Sequence, residues 1–215
     1  MIFIIPARAG SKGLPFKNRL LLPYTLKALT SEQKTKTIIS TDDDEIKKQA
    51  DAAGVQWITR PAYLATDETN TRDVLINFRN AFNVHNETFC LLYLTYPGRT
   101  GADIKKALAA FDEIDRPSLL CSQPVLTHPF LCIYDSGLPV IPHNLARRQD
   151  YPTIREISHF IGIFKASELE NLNPNLYNPH TFFLHIPRVV DIDTPADWRR
   201  FSETEENSNR HGGRT

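Results

Sequence analysis

The sequence begins with four consecutive apolar residues, 2–5, which run directly into a glycine-containing basic loop. An apolar run without alternation is typical of a strand that is covered on both faces, as in a parallel sheet. Ligands of such sheets bind beyond the carboxyl ends of the strands. The run therefore predicts an α/β fold whose functional site lies where the first strand ends.

The loop after this strand, residues 6–18, combines glycines with three basic residues: Arg8, Lys12 and Lys17. Gly10 and Gly13 allow a tight turn that exposes backbone N–H groups. Cations and free N–H groups in one small volume favour an anionic ligand, and phosphate is the natural one. On loop composition alone, an ordinary surface turn is the alternative.

Neither standard phosphate-binding motif explains this loop. The GxxxxGK motif requires a glycine where this chain has Pro6, and the GxGxxG motif is absent. A P-loop and a dinucleotide-binding fingerprint are both excluded.

The composition limits the class of partner. The 215 residues, of which 41% are hydrophobic, are typical of one globular domain, and Lys plus Arg equals Asp plus Glu at 25 each. This balance favours neither nucleic acid nor an anionic membrane. The chain has no apolar stretch of ~20 residues and no cationic leader, so we expect a cytoplasmic protein.

The three cysteines, Cys90, Cys121 and Cys132, lie in apolar, strand-like segments. An odd number in such contexts indicates reduced core residues. There is no CxxC spacing and no nearby histidine pair, so we expect no zinc site.

Strand-like and helix-like segments alternate along the chain. Strands are predicted at 37–40, 88–94 and 119–124, with a helix following each of the first two. Ser40 or Thr41 and the acids after it predict a capped helix start, and Asp42 is the acid expected to reach the cleft. Alternation of this kind predicts βαβ units and a mostly parallel sheet.

Two acids near the end of the chain, Asp191 and Asp193, are separated by one residue. At an extended strand end, residues i and i+2 point to the same face, so both carboxylates can face one hard cation. Thr194 and Pro195 then predict a helix start, and a capping role for Asp193 is the alternative. We expect the pair to bind Mg²⁺.

Residues 5–18, IPARAGSKGLPFKN, resemble the signature of the acylneuraminate cytidylyltransferases, the CMP-sialic acid synthetases and relatives that activate other acidic sugars. Further similar blocks occur in the family's order at 40–46, 60–65, 95–100, 147–150 and 191–194. The resemblance covers residues 1–203 and implies an α/β, Rossmann-like nucleotide-diphospho-sugar transferase fold. It also implies one domain with a dimerisation arm at about 130–152; the polar residues 204–215 are expected to be disordered.

The resemblance also assigns residues to roles. It implies nucleotide contacts from Arg8, Gly10, Ser11, Lys12, Lys17, Asn18, Arg60 and Thr71. It implies substrate contacts from Tyr93, Thr95, Arg99, Arg147, Arg148 and Gln149. The catalytic candidates are Lys17, Arg8 and Asp193, and the candidate Mg²⁺ ligands are Asp191 and Asp193.

The activity implied is the transfer of CMP from CTP to a sialic acid-like sugar of nine or eight carbons, with release of pyrophosphate. The chain departs from the family pattern by a shorter segment after Asn18 and by Tyr93, Tyr96 and Gly98. Two alternatives therefore stay open. One is a nucleotidyltransferase for another NTP or sugar phosphate, and the other is a non-catalytic nucleotide-binding homologue.

Residues 130–152 are broken by Gly137, Pro139 and Pro142, which predicts an arm or hairpin outside the main sheet. One small domain does not cover all the apolar residues of such an arm, so a symmetric partner and a homodimer are expected. The resemblance places Arg147 and Arg148 in the partner's site. His128 is expected to be a structural turn residue.

Overall fold

The computed structural model describes residues 1–212, with side chains as far as residue 205. The strands are β1 (Ile2–Pro6), β2 (Thr37–Thr41), β3 (Gln56–Thr59), β4 (Thr88–Leu91), β5 (Ser118–Pro124), β6 (Arg155–Lys165) and β7 (Phe182–His185). The α-helices are α1 (Lys17–Ala28), α2 (Ser31–Thr35), α3 (Asp44–Ala52), α4 (Thr71–Phe82), α5 (Gly101–Glu113) and α6 (Pro195–Gly212). No helix within this described part is both long and apolar enough to span a bilayer.

The seven strands form one sheet in the order β3-β2-β1-β4-β6-β5-β7. Strands β3, β2, β1 and β4 are parallel to one another, β5 is parallel to β7, and β6 is antiparallel to both β4 and β5. The predicted α/β fold with a mostly parallel sheet is confirmed. Because β1 has β2 on one side and β4 on the other, its carboxyl end lies where the strand order reverses, the usual ligand position in such sheets.

Helices cover both faces of the sheet. Apolar residues of α1, α3 and α5 pack on one face, and those of α4 pack on the other. Cys90 and Cys121 are buried and unpaired, and burial raises the pKa of the Cys90 thiol to about 12. They are the inert core residues that the sequence indicates, whereas Cys132, predicted to be a core residue as well, is only partly buried and lies outside the sheet.

Helix α1 begins at Lys17, earlier than the predicted segment 20–30, and it contains Pro23. Proline has no N–H to donate to the carbonyl four residues earlier, which here belongs to Arg19. That carbonyl accepts a hydrogen bond from the Gln49 side chain at 3.3 Å instead. The helix therefore continues through the proline.

Helix α3 is capped by Asp43, whose carboxylate accepts from the backbone N–H of Glu45 at 2.9 Å. The predicted caps, Ser40 and Thr41, are wrong because β2 continues through both residues. The acidic first turn that the sequence predicts is present.

The polar tail differs from expectation. Helix α6 continues to Gly212, so residues 204–212 are helical rather than disordered. Thr194 and Asp197 exchange hydrogen bonds at its start, and Trp198 and Phe201 pack on the core, so the polar residues extend a helix that is already anchored. Residues 213–215 lie outside the described residues.

Residues 125–154 lie outside the sheet, as predicted for the arm. Its interior is a small aromatic cluster of Phe130, His143, Tyr151 and His128. His128 Nδ1 accepts from the N–H of Phe130 at 3.2 Å, and His128 Nε2 lies 3.1 Å from the carbonyl oxygen of Pro152. Both ring nitrogens are engaged by backbone, which is the expected role of a turn residue.

Candidate active site

A cleft of about 370 Å³ opens at the carboxyl ends of β1 and β4. It is bordered by the basic loop on one side and by the start of α4 and the segment after β4 on the other. Nine of the predicted site residues line it: Arg8, Ser11, Lys12, Lys17, Asn18, Arg60, Thr71, Tyr93 and Thr95. The fold therefore gathers most of the predicted nucleotide-binding residues in one place.

The loop is held by hydrogen bonds between its backbone and the side chains of Asn18 and Asp42. Asn18 Nδ2 donates to the Arg8 carbonyl at 2.8 Å, and Ala9 N donates to Asp42 Oδ1 at 2.7 Å. Asp42, predicted to reach the cleft, thus supports the loop backbone and does not itself line the cleft. Gly10 has φ +72°, a conformation that suits glycine, and it lines a neighbouring pocket rather than the cleft.

Each of the three loop cations contacts a carboxylate. Asp67 Oδ1 lies 2.5 Å from Arg8 Nη2, and Asp67 Oδ2 lies 2.5 Å from Lys12 Nζ. Lys17 Nζ lies 2.7 Å from Asp193 Oδ1. The hydrogen bonds from Lys12 and Arg8 lower the pKa of Asp67. Asp67 could not be predicted as a site residue, because nothing in its local sequence pattern distinguishes it from other loop acids.

Gly13 brings the loop against the acidic segment. A Cβ atom at this position would lie 2.2 Å from the Asp193 carbonyl oxygen. Only glycine allows this approach, so the basic loop and the segment that carries Asp193 lie in direct contact.

Asp191 and Asp193 lie in a coil segment after β7, and not at a strand end as predicted. The segment is attached to the cleft because Ile192 N donates to the Thr95 carbonyl at 2.8 Å. Interactions with the side chains of Thr95 and Tyr96 favour the ionised form of Asp191. Desolvation, followed by repulsion from Asp193, raises the pKa of Asp191.

Arg60 and Tyr93 form the deep wall of the cleft. The Arg60 guanidinium is buried and donates to the Ser40 carbonyl at 3.0 Å, and burial lowers its pKa to about 10. The Tyr93 hydroxyl donates to Thr71 Oγ1 at 2.6 Å, and its ring packs edge-on against His159. Thr71, a predicted nucleotide contact, is thereby oriented by a predicted substrate contact.

The structure corrects the substrate role predicted for Arg99. This residue is 3% exposed and donates inward to the carbonyls of Phe160 and Tyr93 and to the hydroxyl of Thr25. Burial lowers the pKa of Arg99 to about 10. It joins β6, α1 and the segment after β4, and it does not face the cleft.

Arg147, Arg148 and Gln149 do not line the cleft of their own chain. All three are exposed on the arm, where Arg147 pairs with Asp150 at 2.9 Å. Arg148 lines a separate surface cleft of about 640 Å³ together with other residues of the arm.

Comparison with known proteins agrees with this geometry. Residues 2–207 match the family model described as Cytidylyltransferase. The chain is 35% identical over 125 residues to an N-acylneuraminate cytidylyltransferase of Escherichia coli O18:K1:H7, covering 54% of this chain and 29% of that protein. It is 31% identical over 150 residues to the Streptococcus agalactiae serotype III protein of the same name, covering 65% and 36%. The chain thus matches about a third of the length of these relatives.

Another relative matches over nearly its whole length. The CMP-N,N'-diacetyllegionaminic acid synthase of Legionella pneumophila is 30% identical over 217 residues, covering 92% of this chain and 93% of that protein. A solved structure, that of CMP:2-keto-3-deoxy-manno-octonic acid synthetase complexed with CTP, superimposes with a TM-score of 0.66 at 16% identity, covering 96% of this chain and 98% of that one. This second likeness concerns the fold alone. From the family match and the Legionella relative, the chain belongs to the cytidylyltransferase family.

Proposed function

We propose that the protein transfers CMP from CTP to an acidic, sialic acid-like sugar of nine or eight carbons. The observation that carries this proposal is the cleft itself. It combines a basic glycine loop, a buried arginine and a nearby pair of carboxylates at the carboxyl edge of a parallel sheet. The full-length relative from Legionella, named as a CMP-sugar synthase, supports the choice of nucleotide and the sugar class.

In the proposed reaction, the anomeric hydroxyl oxygen of the sugar attacks the α-phosphorus of CTP, and the hydroxyl proton passes to solvent. The bond from this phosphorus to the oxygen that bridges to the β-phosphate breaks, and pyrophosphate leaves. Arg8, Lys12 and Lys17 hold the triphosphate, and Asn18, Arg60 and Thr71 hold the nucleoside. Phosphoryl transfer depends mainly on positioning and charge neutralisation, which this set of residues provides.

The donor set at the cleft also fits Mg²⁺. Asp191 and Asp193 supply hard oxygen ligands, and their mutual repulsion is the kind that a divalent cation relieves. When bound there, Mg²⁺ would neutralise phosphate charge and lower the pKa of an attached hydroxyl. No group of three or more His, Cys, Asp or Glu side chains suited to a metal occurs in the described residues, so phosphate oxygens or water would complete the coordination.

We further propose a homodimer in which the arm of one subunit reaches the sugar side of its partner's cleft. The arm exposes large apolar side chains, among them Leu126 at 77%, Ile133 at 69% and Leu138 at 65%. A partner surface would cover these groups. Arg147 or Arg148 would then pair with the sugar carboxylate, for which a planar guanidinium is well suited.

A cytoplasmic location also remains part of the proposal. Cys90, Cys121 and Cys132 are unpaired, and a reducing compartment suits three free thiols.

The test is pyrophosphate release from each of the four NTPs with a panel of sugar acids. We expect release with CTP and one nine- or eight-carbon sugar acid, and none without the sugar. Release with another NTP would favour the alternative nucleotidyltransferase. Binding of CTP without turnover across the panel would favour a non-catalytic homologue.

A further inference from the structure

A polar turn, residues 65–70, connects the buried Leu64 to the start of α4. The turn is held mostly by local contacts. Thr66 Oγ1 and Thr69 Oγ1 are 2.8 Å apart, and Thr69 Oγ1 donates to the Tyr63 carbonyl at 3.3 Å. Asp67 is the side chain by which this turn reaches the basic loop.

Asp67 divides its two carboxylate oxygens between two cations. One carboxylate oxygen contacts the Arg8 guanidinium and the other contacts the Lys12 ammonium group, each at 2.5 Å. Two oxygens of a phosphate group would make the same charge-assisted contacts with the same two groups. The carboxylate thus has the position and the charge of an anionic ligand of the loop.

We propose that Asp67 is an internal competitor for the triphosphate: it occupies the anion position between Arg8 and Lys12, and it leaves when phosphates bind. This inference rests on the proposed function, because it takes the basic loop as the triphosphate site. A ligand that binds only the open form has its apparent affinity reduced by the fraction of molecules that are open. Asp67 would therefore set how tightly the protein binds its nucleotide.

The turn is built so that it can move. The Asp67 side chain is 38% exposed and that of Lys12 is 79% exposed, and exposed ion pairs are weak and easily exchanged. A cleft of about 590 Å³ separates the turn from α4 and gives it room. The Lys17–Asp193 ion pair is less easily exchanged with solvent, because the Lys17 side chain is only 15% exposed.

The experiment measures binding of inorganic tripolyphosphate by titration calorimetry to the wild type and to Asp67→Asn. We expect the variant to bind about three- to tenfold more tightly, since one competing charge of an exposed pair has been removed. Glu68→Gln, which removes the same charge one residue away, and Asp67→Glu, which keeps the charge, should both stay close to wild type. Thermal unfolding checks that each variant is folded.

Asp67→Ser repeats the test if the asparagine variant does not fold. Unchanged or weaker tripolyphosphate binding on neutralising Asp67 overturns the inference, because the carboxylate would then organise the two cations instead of blocking them. Absence of binding by every variant overturns it as well.

The outcome is separable from that of the proposed function. If Asp67→Asn binds tripolyphosphate more tightly but the wild type never releases pyrophosphate, the inference about Asp67 holds and the proposed enzymatic function is contradicted. If the wild type turns over CTP but neutralising Asp67 does not change tripolyphosphate binding, the proposed function holds and the inference about Asp67 is contradicted. A second readout is hydrogen exchange of residues 65–70, which should become faster when tripolyphosphate is added to the wild type.

Discussion

At the scale of single residues, the site depends on which charged side chains face the cleft and which are engaged inside the protein. Arg60 and Arg99 are both buried, and burial lowers the pKa of both to about 10. Arg60 still lines the cleft, whereas Arg99 donates to three interior acceptors. The sequence does not separate these two cases, because each arginine lies in a polar loop and their acceptors come from distant segments.

Asp191→Asn is expected to reduce pyrophosphate release by about a hundredfold or more, a loss typical of removing one electrostatic contact from a transition state. Asparagine keeps an oxygen for Thr95 and Tyr96, so the fold and the melting temperature should change little. Asp197→Asn removes a charge from the start of α6 and should retain most of the activity. Near-normal turnover by Asp191→Asn would contradict the metal role.

Asp43 carries a pH-dependent part of the stability. Burial alone would raise the pKa of Asp43, but the hydrogen bonds from Arg19 and from the Glu45 N–H outweigh it, and the pKa is lowered from 3.8. A lowered folded-state pKa contributes stability above the unfolded value, and this contribution is lost as the pH falls through the folded value.

Asp43→Asn should therefore lower the free energy of unfolding at pH 7 by about 1 kcal/mol, because asparagine still caps α3 but no longer pairs with Arg19. The difference from wild type should shrink as the pH drops below 3.8. Urea unfolding of both proteins at a series of pH values measures this difference in the free energy of unfolding. A difference that is the same at pH 7 and in acid would show that the charge of Asp43 is not its cause.

At the scale of elements, the basic loop and the acidic segment after β7 act as one unit, although they come from opposite ends of the chain. Gly13 lets the two backbones touch, and the Lys17–Asp193 pair joins them. In the proposed reaction the loop would position the phosphates and the segment would supply the carboxylates. A change at their contact should therefore affect chemistry more than stability.

Gly13→Ala tests this contact. Its Cβ would lie 2.2 Å from a backbone oxygen, so the loop and the acidic segment must separate. We expect kcat to fall by about tenfold or more, since misplacement by about 1 Å costs up to a hundredfold. Gly98→Ala is the matched control, because its Cβ would meet only a ring carbon at 3.9 Å and activity should persist. Equal activity of the two variants would refute the coupling.

At the scale of the whole molecule, the parallel core could be predicted because its signals are local. Unbroken apolar strands and capped helices follow one another, and they place the loop at the carboxyl edge of the sheet. Asp67 in the site and Arg99 in the interior could not be predicted. Both placements depend on contacts between segments far apart in sequence, and the charge of a residue does not reveal its partner.

The start of helix α6 could be predicted from Thr194 and Pro195, but its extension beyond residue 203 could not, for a different reason. The low apolar content of residues 204–212 favours disorder, whereas a helix started by a strong cap and anchored by packed residues of its first turns can continue through polar sequence. Composition therefore limits how much core a segment can bury, but it does not by itself exclude secondary structure.

The proposed dimer predicts complementation, at low sugar concentration, between two defective proteins. Arg148→Ala should raise the apparent KM of the sugar far more than that of CTP, because Arg148 would contact only the sugar carboxylate. If each site takes Asp191 from one subunit and Arg148 from its partner, a dimer of Arg148→Ala with Asp191→Asn has one intact site and one doubly defective site. Random exchange at equal concentrations makes half of the dimers mixed, so activity should recover to about one quarter of wild type.

Light scattering should give the mass of two chains, and subunit exchange is verified with a tagged copy before activity is measured. Arg147→Ala, paired with Asp191→Asn in the same way, shows which of the two arginines reaches the partner. Asp135→Asn, an exposed change elsewhere on the arm, is the matched control and should keep the sugar's KM near wild type. A monomeric protein, or no recovery in verified mixed dimers, would mean that each cleft is completed within its own chain.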